Sequence, residues 1–336
     1  MRPLCSAIIF AASIAVWAEE PAQIPLIAQP EAFETLVNPD CSHCQIEADR
    51  RSSDLRDDDR VLCWTRGYSE GGAIPMRFFL NKYRVISDTY GVFVYDPDAG
   101  FARGFAPSLD FTFHGWRNGV MVIKHKDGTL YSALTGKAFA GPRTGSKLEA
   151  VPTLVSSWGD WLQRYPNAVA YHMYDKYQAT QLPNDEPDGS RNTRLPIDSR
   201  LPGDEIVLGV ANGDQARAYR LQDLQQPRRI QERVGDQDWV VLWNGDTQTA
   251  AAYESIAEPT QAGETARSVT LCFADEDSRA PFIDVETGSH WDIAGRATSG
   301  ELKGWTLKWL EGTQVKWFAW AAEYPQTSIY QSESSP

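Results

Sequence analysis

The chain has 336 residues, 45 of them acidic against 32 basic, for a net charge of −13 at neutral pH. So acidic a surface repels nucleic acid and anionic lipid, which excludes both as partners. The length favours two domains over one, and 20 prolines, 25 glycines and 13 tyrosines beside 12 tryptophans suit a loop-rich β fold.

The first residues predict a secretion signal spanning 1–18. Arg2 supplies the positive start, residues 4–16 are mostly apolar, and Val16-Trp17-Ala18 offers a cleavage site ahead of Glu19. An apolar run of roughly 13 residues falls short of the ~20 that span a bilayer. The expectation is an exported protein, periplasmic or extracellular, with no membrane span in the mature chain. Four of the five cysteines survive cleavage: Cys41, Cys44, Cys63 and Cys272. Four over this length make no disulfide framework, so the core must hold the fold.

An N-terminal segment, 19–56, carries Cys41-Ser42-His43-Cys44 after Asn38-Pro39-Asp40. Asp40 can cap a helix beginning at Cys41, and a thiol at a helix N-terminus beside an imidazole gains thiolate character. Three readings stay open for Cys41 and Cys44: a local disulfide, a redox pair, or half of a soft-metal site for copper or zinc. Cys63 is a third ligand only if the fold brings it close. Gln45 after Cys44 excludes haem attachment, and too few residues precede the motif for a thioredoxin βαβ unit.

The rest of the chain reads as two copies of one β-rich unit, 57–172 and 203–330, joined by a polar linker at 173–202 and followed by a tail at 331–336. Trp158, Trp161, Tyr165, Pro166 and Tyr171 recur as Trp317, Trp320, Tyr324, Pro325 and Tyr330, always 159 positions on. Gly136-Lys137-Ala138 recurs as Gly295-Arg296-Ala297 at the same spacing. Earlier segments keep the correspondence: Val92 to Tyr95 with Val240 to Trp243, and Asp59 to Leu62 with Glu205 to Leu208.

Local periodicity sets the elements. Val207 to Ala211 and Ala216 to Tyr219 flank Asn212-Gly213 as a hairpin, and Gly119 to His125 with Thr129 to Leu134 forms another. Val92 to Tyr95 and Val240 to Trp243 predict buried strands. Trp158 to Arg164 and Trp317 to Ala322 fit short helices ended by Tyr-Pro, because the residue before proline leaves the helical region. The fold class is mainly β with minor α (α+β): two homologous β-rich repeats, each closing with a short Trp-bearing helix packed on a sheet.

The order of these pieces resembles the domain-of-unknown-function family numbered 3179. The carriers are Asn212-Gly213 with Ala216-Arg217-Ala218-Tyr219, the run from Gly128 to Gly141, and Trp158-Gly159-Asp160-Trp161 with Tyr165-Pro166. The resemblance covers most of 57–330 and implies no reaction. The family commonly has a Cys-Pro-x-Cys-Gly turn after the buried strand. Here Asp96-Pro97-Asp98-Ala99-Gly100 and Asn244-Gly245-Asp246-Thr247 stand instead, so a thiolate function of that turn is not carried over.

Outside the Cys pair, the candidate pocket residues are Asp96, Asp98 and His114. Asp96 and Asp98 begin like a calcium loop, but Ala102 occupies a ligand position and no glutamate closes it. As a solvated turn they are unremarkable; as a carboxylate pair they could serve a hydrolase, though spacing alone gives no reason for unlike pKa values. His114 has Ala274 as its counterpart, so the shared fold does not need it. His125, beside a Lys-Asp-Gly turn, is expected to be exposed. Twelve tryptophans invite sugar stacking, yet Trp158, Trp161, Trp317 and Trp320 recur as core positions should. No nucleophile elbow, Walker loop, dinucleotide fingerprint or His-Glu-x-x-His is present.

The reading is a non-catalytic exported module that binds a protein or small-molecule partner, with the repeats as scaffold. Thiol redox or metal handling through Cys41 and Cys44 is the alternative, and a carboxylate-based hydrolase the second. No cofactor is named by the sequence.

Overall fold

The computed structural model describes residues 26–39, 55–66, 70–79, 83–171, 198–226, 228–274 and 279–331. It is mostly β, with short helices, as the residue periods predict.

The first half opens with a hairpin of Arg60–Arg66 and Glu70–Pro75. Thr153–Ser157 adds antiparallel on one edge and Val169–Ala170 adds parallel on the other. The second half builds the same sheet in the same order. Its hairpin Ile206–Asn212 and Gln215–Arg220 is flanked by Glu311–Lys316, antiparallel, and Ser328–Ile329, parallel. Gly213, at positive φ, and Asp214 make the turn, one residue later than the Asn-Gly pair suggests.

Helices Trp158–Arg164 and Trp317–Glu323 follow the outer strands directly. Their first N–H groups, which no helical carbonyl can satisfy, are met by backbone upstream of the hairpin. Trp158 and Gly159 donate to Asp59 and Asp57 carbonyls; Trp317 and Phe318 donate to those of Glu205 and Gly203. Both helices stop at tyrosine, whose N–H returns to the carbonyl of Trp161 or Trp320. Each tyrosine ring tilts over that tryptophan, with centroids 4.3 Å apart in both places.

Two further sheets in each half share register. Val92–Asp96 pairs with Phe101–Phe105 as Gln237–Asn244 pairs with Thr249–Glu258. Phe105 then lies opposite Ala150, and Tyr253 opposite Trp309. The third sheets run through Phe111–Arg117, Val120–His125, Leu130–Ser132 and Ala138–Ala140, and through Leu271–Phe273, Phe282–Asp284, His290–Trp291 and Ala297–Ser299. Gly136 and Gly295 sit at φ 69° and 73°, where a Cβ would strike the rings of Phe105 and Tyr253 at 2.8 and 2.7 Å. Both positions therefore require glycine.

Two features lie outside the sequence expectation. Residues before 57 belong to the first half's sheets: Leu26–Ala28 pairs with Phe111–Arg117, and Glu34–Val37 pairs in parallel with Tyr83–Ser87. Phe33 between them is buried against Phe113 and Trp116. The helix Trp317–Glu323 does not close a core private to its own half. It is wedged between Val207, Ala218 and Val315 on one side and residues of 33–138 on the other, in one continuous cluster. A helix apolar nearly all round demands cover on both faces.

One polar detail separates the halves. The Trp320 indole N–H donates to Thr327 Oγ1 at 2.9 Å, whereas the corresponding position beneath Trp161 is Ala168. Thr327→Ala would orphan a buried donor and is expected to lower stability by about 1–3 kcal/mol. Urea unfolding of the variant measures this, and an unchanged midpoint would contradict the packing described.

Candidate functional site

Cys41 and Cys44 lie outside the described residues. Cys63 and Cys272 are free cysteines. Cys63 is wholly buried beside Trp158 and Trp161. Burial, with Asp160 nearby, pushes its thiol well up, so it is held neutral and suits packing better than ligation. Among the described residues no cluster of three or more His, Cys, Asp or Glu side chains could hold a metal ion.

Asp96 ends the strand Val92–Asp96 and is buried. Its Oδ1 accepts the N–H groups of Asp98 and Ala99 at 3.1 and 3.0 Å, and its Oδ2 accepts that of Met121 at 2.9 Å. The carboxylate thus pins the turn and ties it to the neighbouring sheet. In the second half Asn244 Oδ1 accepts from Asp246 and Thr247 in the same way. Burial pushes the Asp96 carboxyl up to about 6, and Asp98 adds to the rise while the Ala99 and Met121 N–H groups oppose it. Spacing in the sequence could not anticipate this, because burial is the largest cause.

His114 stands elsewhere, half-buried at an irregularity in the strand Phe111–Arg117. Its carbonyl accepts the Gln29 N–H of the N-terminal segment, whereas the carboxylate of Asp96 accepts from its own turn and from Met121. Burial, helped by Lys124, lowers its pKa. His125 is 5% exposed, a correction to the expectation from its turn. Its ring packs on Phe111, and its Nδ1 accepts the Asp127 N–H.

The chemistry-bearing groups that the sequence missed gather where the halves meet. Arg164, at the end of its helix, is clamped by Asp160 at 2.9 and 3.1 Å and faces buried Asp292 at 3.8 Å. Asp292 also holds Arg296 at 3.0 Å, and Arg296 donates to the Arg164 carbonyl. The Arg296 guanidinium lies 4.0 Å from the Tyr165 ring centroid. At the matching place on the other side, Lys137 lies 5.3 Å from the Tyr324 ring, and Glu323 replaces Arg164. Burial pushes the Glu323 carboxyl up. Charge next to Tyr-Pro, opposite in sign in the two Trp motifs, was the available sequence signal.

Two clefts open along this seam. The central one, about 310 Å³, is lined in matched pairs: Gly100 with Gln248, Ala102 with Ala250, Leu154 with Thr313. Arg60 lines it too and donates to the Thr247 carbonyl across the seam. Lys316 N–H answers from the other side, donating to the Ala99 carbonyl at 2.9 Å. The turn after each buried strand therefore docks on the opposite half. The second cleft, about 420 Å³, lies between Trp64, Trp161 and Tyr165 of the first half and Tyr253, Arg296 and Trp309 of the second.

Among the described residues, these features make a β-rich protein with concave surfaces at an internal seam. The chain belongs to the family described as protein of unknown function, DUF3179, whose pattern matches residues 46–327. No curated protein matches it. No solved structure matches it either.

The folded Asp96 carboxyl keeps its proton up to about 6, while an unfolded one loses it near 4. Asp96 therefore weakens the fold as pH rises through that window, by up to ~3 kcal/mol. Asp96→Asn keeps the Oδ1 acceptor and removes the titration. Urea midpoints from pH 4 to 7 should show a smaller decline in the variant than in the native chain; equal declines would refute the assignment.

Proposed function

We propose that this protein is an exported, non-catalytic binding module made of two copies of one β domain, 57–172 and 203–330, joined face to face. The reading of two copies is supported by equal sheet order, matching tyrosine C-caps of the two helices and equal register at Phe105–Ala150 and Tyr253–Trp309. Export rests on the character of residues 1–18.

The observation that carries the binding role is the central cleft, lined position by position from both halves. Its volume lies in the range of small-molecule sites, which favour such junctions. The paired walls have diverged: Arg60 and Met76 stand opposite Ile206 and Leu221. A divided surface of this kind can distinguish the two ends of a ligand. The carboxylate that a hydrolase would use, Asp96, is instead engaged with three backbone N–H groups.

The full chain, expressed with its leader and recovered from the periplasm, should begin at Glu19. Native mass spectrometry should find a small molecule retained by this protein and lost from Met76→Trp, which places an indole in the cleft. A turnover abolished by Asp96→Asn, or equal retention by Met76→Trp, would overturn the proposal.

A further inference from the structure

Arg164, Arg296, Arg103 and Lys147, all at the seam, each meet a carboxylate. Arg60 does not. It lines the central cleft, where its guanidinium donates to the neutral carbonyl of Thr247, and no carboxylate pairs with it among the described residues. Asp59, its neighbour in the chain, turns instead to the Arg56 N–H at 2.8 Å and to Arg77 at 3.4 Å. Partial burial lowers the Arg60 pKa, and no carboxylate is among the groups that act on it. The residue still reaches solvent. Most of its N–H donors are therefore left without a protein acceptor.

The surroundings of Arg60 favour one kind of partner. Gln248, exposed on the same wall, follows Thr247, and its side-chain amide has no hydrogen-bond partner among the described residues. No acidic side chain lines the cleft among the described residues, in a chain that has 45 of them. Arg60 is also the one charged residue on that wall, so it balances a single negative charge. A dianion would keep an excess charge against a protein whose net charge is −13. A planar carboxylate matches the guanidinium fork, with two parallel hydrogen bonds.

The rest of the cleft is apolar where it is open. Ile206, which holds the position of Arg60 in the second half, is 44% exposed. Met76, Leu154 and Leu221 are half-buried, each at the margin of a different core. Hydrocarbon laid against these side chains leaves water at a gain in free energy.

We propose that the ligand of the central cleft is a small aliphatic monocarboxylate, held by Arg60 and Gln248 at one end and by Met76, Leu154, Ile206 and Leu221 along its chain. The assignment rests on the reading of this cleft as the binding site.

Hexanoate is the probe, titrated calorimetrically into the full chain beside hexan-1-ol and hexylamine. The expected result is saturable binding of hexanoate, at least about tenfold tighter than either analogue, the worth of a charged hydrogen bond. Butanoate should bind more weakly, by up to about fourfold for each methylene lost, and added salt should weaken hexanoate. Arg60→Gln should cost hexanoate about tenfold or more, and Arg60→Lys should restore part of the loss. Gln248→Glu places a competing carboxylate beside Arg60 and should weaken hexanoate as well; its side chain is exposed and unbonded, so it decides the matter if Arg60→Gln fails to fold. Hexan-1-ol or hexylamine binding as tightly as hexanoate would overturn the proposal, as would undiminished hexanoate binding in folded Arg60→Gln or Gln248→Glu. Absent hexanoate binding, with a retained molecule still lost from Met76→Trp, refutes the ligand class and leaves the cleft as the binding site. Absent binding with equal retention by Met76→Trp refutes both.

Discussion

The rest of the structure depends on the cover given to two short helices. Each begins with a tryptophan whose N–H is bound upstream of a hairpin, and each carries a second tryptophan that its terminal tyrosine overlies. Seven residues cannot hold a helix in water, so these helices persist only because both faces are buried. The hairpin beside them covers one face. For Trp317–Glu323 the other is covered by the first half of the chain, with Phe33, Phe111, Phe113 and Trp116 in the same cluster. The halves are therefore not two beads on a linker. A helix of the second half completes a core of the first.

That joint burial brings the helix ends, with their charges, to the seam. Arg164 and Arg296 share Asp292 there, while Arg103 and Lys147 share Glu311 on the far side. Charges removed from water must be paired, and an unpaired one is far more costly than the pair is favourable. The seam is thus fixed in register by electrostatics as well as by apolar packing. At the positions of Glu311 and Lys147 the second cleft has Pro152 and Thr306, which carry no charge, among aromatic walls.

Much of the fold was readable from residue patterns. The alternation and the Asn-Gly turn placed the hairpin Ile206–Asn212 and Gln215–Arg220 to within a residue, and the Trp spacing with Tyr-Pro placed both helices. Local rules suffice there because hydrogen bonding within a turn or a hairpin is settled by neighbours in the chain. The candidate site was less readable. Asp96 was visible as a turn residue but not as a buried acceptor of the Met121 N–H, 25 positions away. His125 looked exposed from its turn and is buried under Phe111. Arg164 and Arg296 were legible only as a helix end and a repeat position, because the contacts that join them, Arg164 to Asp292 and Arg296 to the Arg164 carbonyl, link segments more than a hundred residues apart.

The sequence by itself determined the β-rich class, the recurring tryptophan pattern and the positions of the short helices, since these follow from side-chain period, turn chemistry and steric limits at proline. Only the tertiary structure decided that the N-terminal strands join the first half's sheets, that a second-half helix fills a first-half core, and that the clefts lie between. Those outcomes are contacts between distant segments. No local propensity encodes which charged side chain will meet which, because burial itself sets both the energy of the pair and the space left around it.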